Sequence, residues 1–223
     1  VRVSLDAGEP SYEIVDHCAY DYIDLDGEVA RPACGLLYHG SLALRNPVPA
    51  RSLDLLKTHG AETIFVDVNL RDPWWDREQV LALVADATWV KLNADELDLL
   101  APPSSPGSET ASERLARAAV FRDVQGLQGL ILTLGARGAV ALGAGEGPVA
   151  VEPPPRLPVV DAVGAGDAFA SVCILGLRRD WPLADTLERA QTFAARIVGQ
   201  RGAIAADPGL YAPFVDQWGL APG

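Results

Sequence analysis

Two carboxylates, Asp161 and Asp167, lie six residues apart in the stretch DAVGAGDAFA, with Gly164, Ala165 and Gly166 between them. Glycines at 164 and 166 permit backbone angles closed to other residues and leave no side chain to obstruct a ligand. The apolar run from Ala168 to Leu177 predicts a buried helix. The free N–H groups of its first turn, with the helix dipole, form an anion site suited to phosphate oxygens. An acid at Asp167 then has two readings. It is an ordinary N-terminal charge that stabilises the helix by about 0.3–1 kcal/mol, or a general base that takes a proton from an attacking hydroxyl beside a phosphate. Position alone favours the first. The second acid, Asp161, shifts the balance to the second.

Other stretches carry the same kind of ambiguity. In Asn93-Ala94-Asp95-Glu96, Asn93 is a natural N-cap and Glu96 completes a capping box. On local grounds that reading is the stronger. The functional alternative is an amide and a carboxylate holding a hydrated Mg²⁺, which keeps several waters and needs few protein oxygens. TLGARGA is either a tight turn or a nucleotide edge where Thr133 and Gly135 let ribose and phosphate approach. Arg71 is either a surface charge or a cation that neutralises a transferring phosphoryl group. His17, His39 and His59 have no companions at ligand spacing and read as structural. No nucleophile elbow, Walker sequence or G-x-G-x-x-G motif is present.

The elements that must position these residues alternate. GLLYHG, ETIFVDVN, TWVKLN, GLILTLG and LPVVDA read as strands. NPVPARSLDLLKTHG, DREQVLALVADA, ADELDLLA and SERLARAAVFRD read as helices. In the first helix Leu53, Leu55 and Leu56 are expected inside, with Gly60 at the C-cap. In the fourth, Ser112 is expected to open a capping box. GAVALGA and GPVAVEP read as antiparallel strands, PPSSPGSET as a polar loop. Helices are expected over Ala168–Arg178, Leu183–Gly199 and Leu210–Trp218. At the start, alternation through Val1, Val3 and Leu5 and again from Tyr12 predicts a hairpin around DAGEP. This order predicts an α/β fold with a mainly parallel sheet and helices on both faces. Ligands of such sheets bind outside the carboxyl ends of the strands. Arg71, Asn93, Gly135 and Asp161 each follow a predicted strand, so the weak signals converge on one edge.

The 223 residues carry a net charge of −12, with 49% hydrophobic and 22% charged residues. An acidic surface repels phosphate backbones, so nucleic acid and anionic membranes are poor partners. No apolar run reaches the roughly 20 residues of a membrane helix. Cys18, Cys34 and Cys173 are odd in number and irregularly spaced, which suits a reducing compartment and a cytoplasmic location. The chain opens in a strand pattern and holds no methionine, which fits the remainder of a longer protein, and equally a processed start or methionine-poor usage.

Taken together, DAVGAGDAF resembles the Asp-Thr-x-Gly-Ala-Gly-Asp signature of ribokinase-like (PfkB-type) carbohydrate kinases. KLNADE resembles their Asn-x-x-Glu magnesium motif, and LTLGARGA their nucleotide-binding turn. DVNLRDPWW is similar to the Asp-x-Asn-x-Arg stretch of bacterial fructokinase-type members, with HGSLAL, GEPSYEI and AARIVGQRGA in matching order. The resemblance implies a three-layer α/β/α ribokinase-like fold, with residues 1–34 as remaining strands of a small β lid and 35–223 as the nucleotide- and phosphate-binding core. It implies ATP-dependent phosphorylation of a sugar hydroxyl, fructose favoured, with Asp167 as base. The backbone of Ala165, Gly166 and Asp167 would form the anion hole, Gly164 would shape the turn, and Arg71 would face the phosphate. Thr133, Gly135 and Gly138 would line ATP. Glu96 and Asn93 would organise Mg²⁺, and Asp161, Val163 and Gly202 a K⁺ ion. The lid is expected to pair two copies in a homodimer. Alternatives are a binding relative that cannot phosphorylate and a kinase for a nucleoside. Two departures stand out. The signature Thr is Ala162 here, and the family's N-terminal Gly-Gly sugar segment has no counterpart.

Overall fold

A computed structural model describes residues 2–6, 9–25, 34–103, 109–153, 159–205 and 207–220. Strands β3 to β8 form a six-stranded sheet in sequence order, and β1 with β2 forms a separate antiparallel pair. The chain divides into two compact units, residues 1–130 and 131–223.

In the first unit, β1 (Arg2–Asp6) pairs with β2 (Glu9–Glu13), Asp6 opposite Glu9. The expected hairpin is present, and residues 7 and 8 of its turn lie outside the described residues. The chain from 14 to 25 is then tied down by polar contacts that the apolar pattern does not announce. Asp21 is fully buried and takes two hydrogen bonds from Arg45, 2.9 Å from Nε and 2.8 Å from Nη2. The Arg45 guanidinium also donates to the Val15 carbonyl and lies over the Trp74 ring. This partner holds the Asp21 carboxyl below the usual carboxylate range against the opposing effect of burial.

Two β-α-β units follow. Strand β3 (Cys34–Gly40), helix α1 (Pro47–Thr58) and strand β4 (Ala61–Asp67) lead through α2 (Arg77–Ala85) to β5 (Trp89–Asn93). Strands β3, β4 and β5 run parallel, with Gly40 opposite Asp67 and Asp67 opposite Lys91. Phe65, Val66, Val84, Val90 and Leu92 have almost no exposed surface. Helix α1 departs from expectation on one point: its inner residues are Pro49, Ser52 and Leu53, while Leu55 is exposed. At about 100° per residue, Leu55 lies about 200° round the helix from Leu53, on its opposite side. His59 is the C-cap and Gly60 the residue beyond it, at φ +74°. Helix α3 (Ala94–Leu100) follows β5 directly, and α4 (Ala111–Val124) starts one residue after Thr110. Thr110, not Ser112, caps α4: its side chain accepts from the Glu113 N–H while Glu113 accepts from the Thr110 N–H. The reciprocal pair requires an acid at the third helical position, and Glu113 fits Thr110 rather than Ser112. Residues 104–108 of the expected polar loop lie outside the described residues.

Strand β6 (Gly129–Thr133) spans the boundary between the units. In the second unit, β7 (Ala139–Gly143) pairs antiparallel with β8 (Val149–Val151), as expected. Helices α5 (Ala165–Arg178) and α6 (Leu183–Val198) pack together. Gly176 makes that possible, because a Cβ there would collide with the Thr186 side chain. Helix α7 (Ala212–Gln217) closes the chain through an aromatic cluster of Phe193, Phe214 and Trp218. The expected helix over Leu210–Trp218 is thus a short 3-10 turn, Pro208–Leu210, followed by α7. LPVVDA does not form a strand where it is described. Val159 and Val160 are exposed and irregular, and residues 157 and 158 lie outside the described residues. Exposed, unalternating valines have no sheet neighbour to pair with, so β-branched composition alone misled the expectation. Among the described residues, no helix is long and apolar enough to cross a membrane.

Candidate functional site

In the first unit the predicted residues gather where β4 and β5 end. Asn93 is the N-cap of α3, and its Oδ1 accepts the Glu96 N–H at 2.9 Å. Glu96 Oε2 accepts the Asn93 N–H at 2.8 Å, which completes the capping box. The local reading of these residues is therefore correct as far as it goes. The structure adds what a surface capping acid does not need. Glu96 is only 5% exposed, and its Oε1 accepts the Leu70 N–H at 3.3 Å from the loop after β4. Arg71, next in that loop, folds back so that its Nη1 donates to the Leu70 carbonyl at 3.0 Å. Ser41 steadies the same loop by exchanging hydrogen bonds with the Asn69 backbone, each 3.2 Å. Arg71, Asn93 and Glu96 are thus brought together around Leu70.

Beneath them lies a pair that sequence reasoning missed. Lys91 Nζ sits 2.7 Å from Asp67 Oδ1, with both side chains buried. The signal was present as one charge in each of two apolar strands, but only the register that sets Asp67 opposite Lys91 makes them partners. Burial pushes the Glu96 carboxyl above its ordinary range; the N–H groups of Asn93 and Leu70 and the Lys91 charge oppose that rise. Among the described residues, no group of three or more His, Cys, Asp or Glu could chelate a metal. One carboxylate with an adjacent amide still fits a largely hydrated Mg²⁺, because each Glu96 oxygen accepts one N–H and keeps lone-pair capacity.

In the second unit, Gly164 caps α5 at φ +83° and offers no side chain to its first turn. The Ala165 N–H is used within the turn, donating to the Ala162 carbonyl at 3.3 Å. Gly166 and Asp167 hold the second and third helical positions. Asp167 is exposed and makes no hydrogen bond or ion pair among the described residues. Asp161 differs sharply. Its Oδ1 accepts the Val163 N–H and its Oδ2 the Gly202 N–H, both at 3.0 Å. These two donors hold its carboxyl below the ordinary range. Asp161, Val163 and Gly202 therefore meet, although 41 residues separate the outer two.

Thr133 ends β6, and Gly135 begins the short 3-10 turn to Gly138. The two glycines have different reasons. Gly138, at φ +88°, is packed so closely that a Cβ would collide with the Val151 carbonyl. Gly135, at φ +60°, has nothing within 4 Å of where a Cβ would be. Gly138 serves the turn, and Gly135 leaves open space. Each of the three histidines bonds a residue on its own stretch of chain. His39 is mostly buried against the Gly40 carbonyl, and burial lowers its pKa. His17 bonds Tyr22, and His59 ends α1.

Comparison with known proteins gives the family. The pfkB family carbohydrate kinase pattern matches residues 33–209. Aminoimidazole riboside kinase of Salmonella typhimurium is 34% identical over 195 residues, 81% of this chain and 56% of that protein. The crystal structure of the Salmonella enterica aminoimidazole riboside kinase, complexed with aminoimidazole riboside and an ATP analog, superimposes with a TM-score of 0.65. Identity there is 29%, over 85% of this chain and 63% of that one. The fructokinase of Vibrio cholerae O395, solved with fructose, ADP and calcium ion, gives a TM-score of 0.62 at 26% identity, over 85% of this chain and 64% of that chain. The chain spans between about half and two thirds of the length of these relatives. Its mixed six-stranded sheet with helices matches the ribokinase-like fold they share. Their kinship and the extent of the match lead to one conclusion: the chain belongs to the pfkB family of carbohydrate kinases.

Proposed function

We propose that this chain carries the phosphoryl-transfer machinery of an ATP-dependent kinase for a sugar hydroxyl, fructokinase-like, with Asp167 as general base. One observation supports this most: Asp167 is an exposed carboxylate with no partner among the described residues, in the first turn of a helix whose N-cap offers no side chain. A structural acid would be expected to close on a neighbouring donor, as Glu96 and Glu113 do.

Asp167 accepts the proton of the acceptor hydroxyl as the hydroxyl oxygen attacks the γ-phosphorus, the bond from that phosphorus to the β,γ-bridging oxygen breaks, and ADP leaves. The positive end of α5 and the N–H groups of Gly166 and Asp167, framed by Gly164 and Ala165, stabilise charge on the transferring group. Arg71 adds a cation to the same task. Glu96, with Asn93, would hold a hydrated Mg²⁺, which would supply charge neutralisation for ATP. Thr133, Gly135 and Gly138 border the nucleotide. Asp161, Val163 and Gly202 form the bonded ring beside which a K⁺ ion would sit. Residues 1–34 act as lid strands that pair two copies, and 35–223 as the core, in a cytoplasmic enzyme. Phosphoryl transfer needs positioning and charge neutralisation more than covalent chemistry, which suits this residue set. The identity to aminoimidazole riboside kinase favours a second acceptor class, a riboside, beside fructose.

The test is a coupled assay with ATP, Mg²⁺ and a panel of sugars and ribosides, run on this chain and on the whole product of its reading frame. ADP release with one acceptor class is expected. ATP binding without turnover in either protein would leave a binding relative and overturn the kinase reading.

A further inference from the structure

The segment 202–205 is held against the α5 turn from several directions, all within the second unit. From below, the Asp161 carboxylate bonds the Gly202 N–H and, with its other oxygen, the Val163 N–H. From the front, Ala203 lies so close to Gly164 that a Cβ at Gly164 would come within 2.5 Å of the Ala203 Cβ and 2.7 Å of its Cα. From behind, the Ala205 N–H donates to the Tyr211 hydroxyl at 3.2 Å. The Tyr211 ring packs beside Phe193 of α6, with centroids 6.0 Å apart. Phe193 in turn meets Phe214 and Trp218 in edge-to-face contacts.

Tyr211 is the link between a rigid part and an irregular one. Aromatic clusters of this kind resist displacement through large buried area and specific ring geometry. The segment 202–205 has no regular secondary structure of its own, and Gly202 sits at φ +83°. A backbone N–H that loses its partner in a partly buried place costs more than the bond alone is worth. We propose that Tyr211 is a positioning residue for the α5 turn: its hydroxyl holds the 202–205 segment against Gly164 and Asp161. The effect on ATP rests on the reading of that turn as the phosphate site. The effect on the backbone does not.

Tyr211→Phe tests this, because it keeps the ring on Phe193 and removes only the acceptor. Amide exchange by NMR and titration with a non-hydrolysable ATP analogue are measured on the wild-type chain and the variant. The Ala205, Gly202 and Val163 amides should exchange about three- to tenfold faster, the size expected for one lost hydrogen bond. Amides of Ala190 and Ala194, inside α6, should not change. The analogue should bind about three- to tenfold more weakly, which in turnover appears as a raised KM for ATP. Acceleration confined to Ala205, or spread equally to α6, would overturn the proposal. If the wild-type chain binds no analogue, the phosphate reading fails while the exchange pattern still decides the role of Tyr211.

Discussion

Helices α3 and α5 each carry an acid at the third position, and their surroundings are opposite. Glu96 is buried and uses both oxygens, one for its own N-cap and one for the loop after β4. Asp167 is exposed and bonds to nothing among the described residues. The N-caps mirror the difference. Asn93 spends its side chain on the helix, whereas Gly164 has none to spend. A closed capping box stabilises a helix and fixes where its acid points. An open start leaves N–H groups and a carboxylate available to a ligand. The contrast separates an acid fixed by the fold from one that bonds to nothing among the described residues.

Stability measurements can break this contrast. Gly164→Ala should have the largest effect, a loss of about 3 kcal/mol. It forces a side chain into the left-handed region and against the Ala203 backbone. Denaturant midpoints would show it, and a loss under about 1 kcal/mol would mean the turn yields easily. Glu96→Ala should come next, at about 1–3 kcal/mol, because it orphans the Leu70 and Asn93 N–H groups together. Asn93→Ala removes one cap and should cost about 1 kcal/mol. Asp167→Ala should cost well under about 1 kcal/mol, its only structural role being a charge at the helix start. A cost for Asp167→Ala that matched Glu96→Ala would erase the distinction between the two helix starts.

The smallest effect is one of sign. Glu96 has a raised pKa, so its contribution is present below the ordinary value of about 4.3 and lost as pH rises through the folded value. Asp161 has a lowered pKa, so its contribution is present above about 3.9 and lost as pH falls through the folded value. Urea midpoints between pH 3 and 8 should therefore move in opposite senses for Glu96→Gln and Asp161→Asn, each relative to wild type. Parallel curves would contradict the two environments assigned here.

Much of this was legible before the fold. The alternation of strands and helices, the Asn93–Glu96 box and the glycine turn before Asp167 are all local patterns, and local patterns obey short-range rules. What was not legible depends on partners far along the chain. Nothing near Glu96 announces Leu70, 26 residues earlier, and nothing near Asp67 announces Lys91. Asp161 was expected after a strand and instead sits in irregular backbone, fixed by Gly202. Two glycines that look equivalent in TLGARG differ only because β8 presses on one of them.

The role of Asp167 is tested most directly by single-turnover transfer from prebound ATP. Wild type and Asp167→Asn are saturated with ATP and Mg²⁺, mixed with the acceptor that the panel identifies, and followed for phosphorylated product. A base that accepts the hydroxyl proton predicts a rate about 10²- to 10⁴-fold lower in the variant, with ATP affinity and stability near wild type. A rate within threefold of wild type would contradict it and return Asp167 to the status of a helix-stabilising charge.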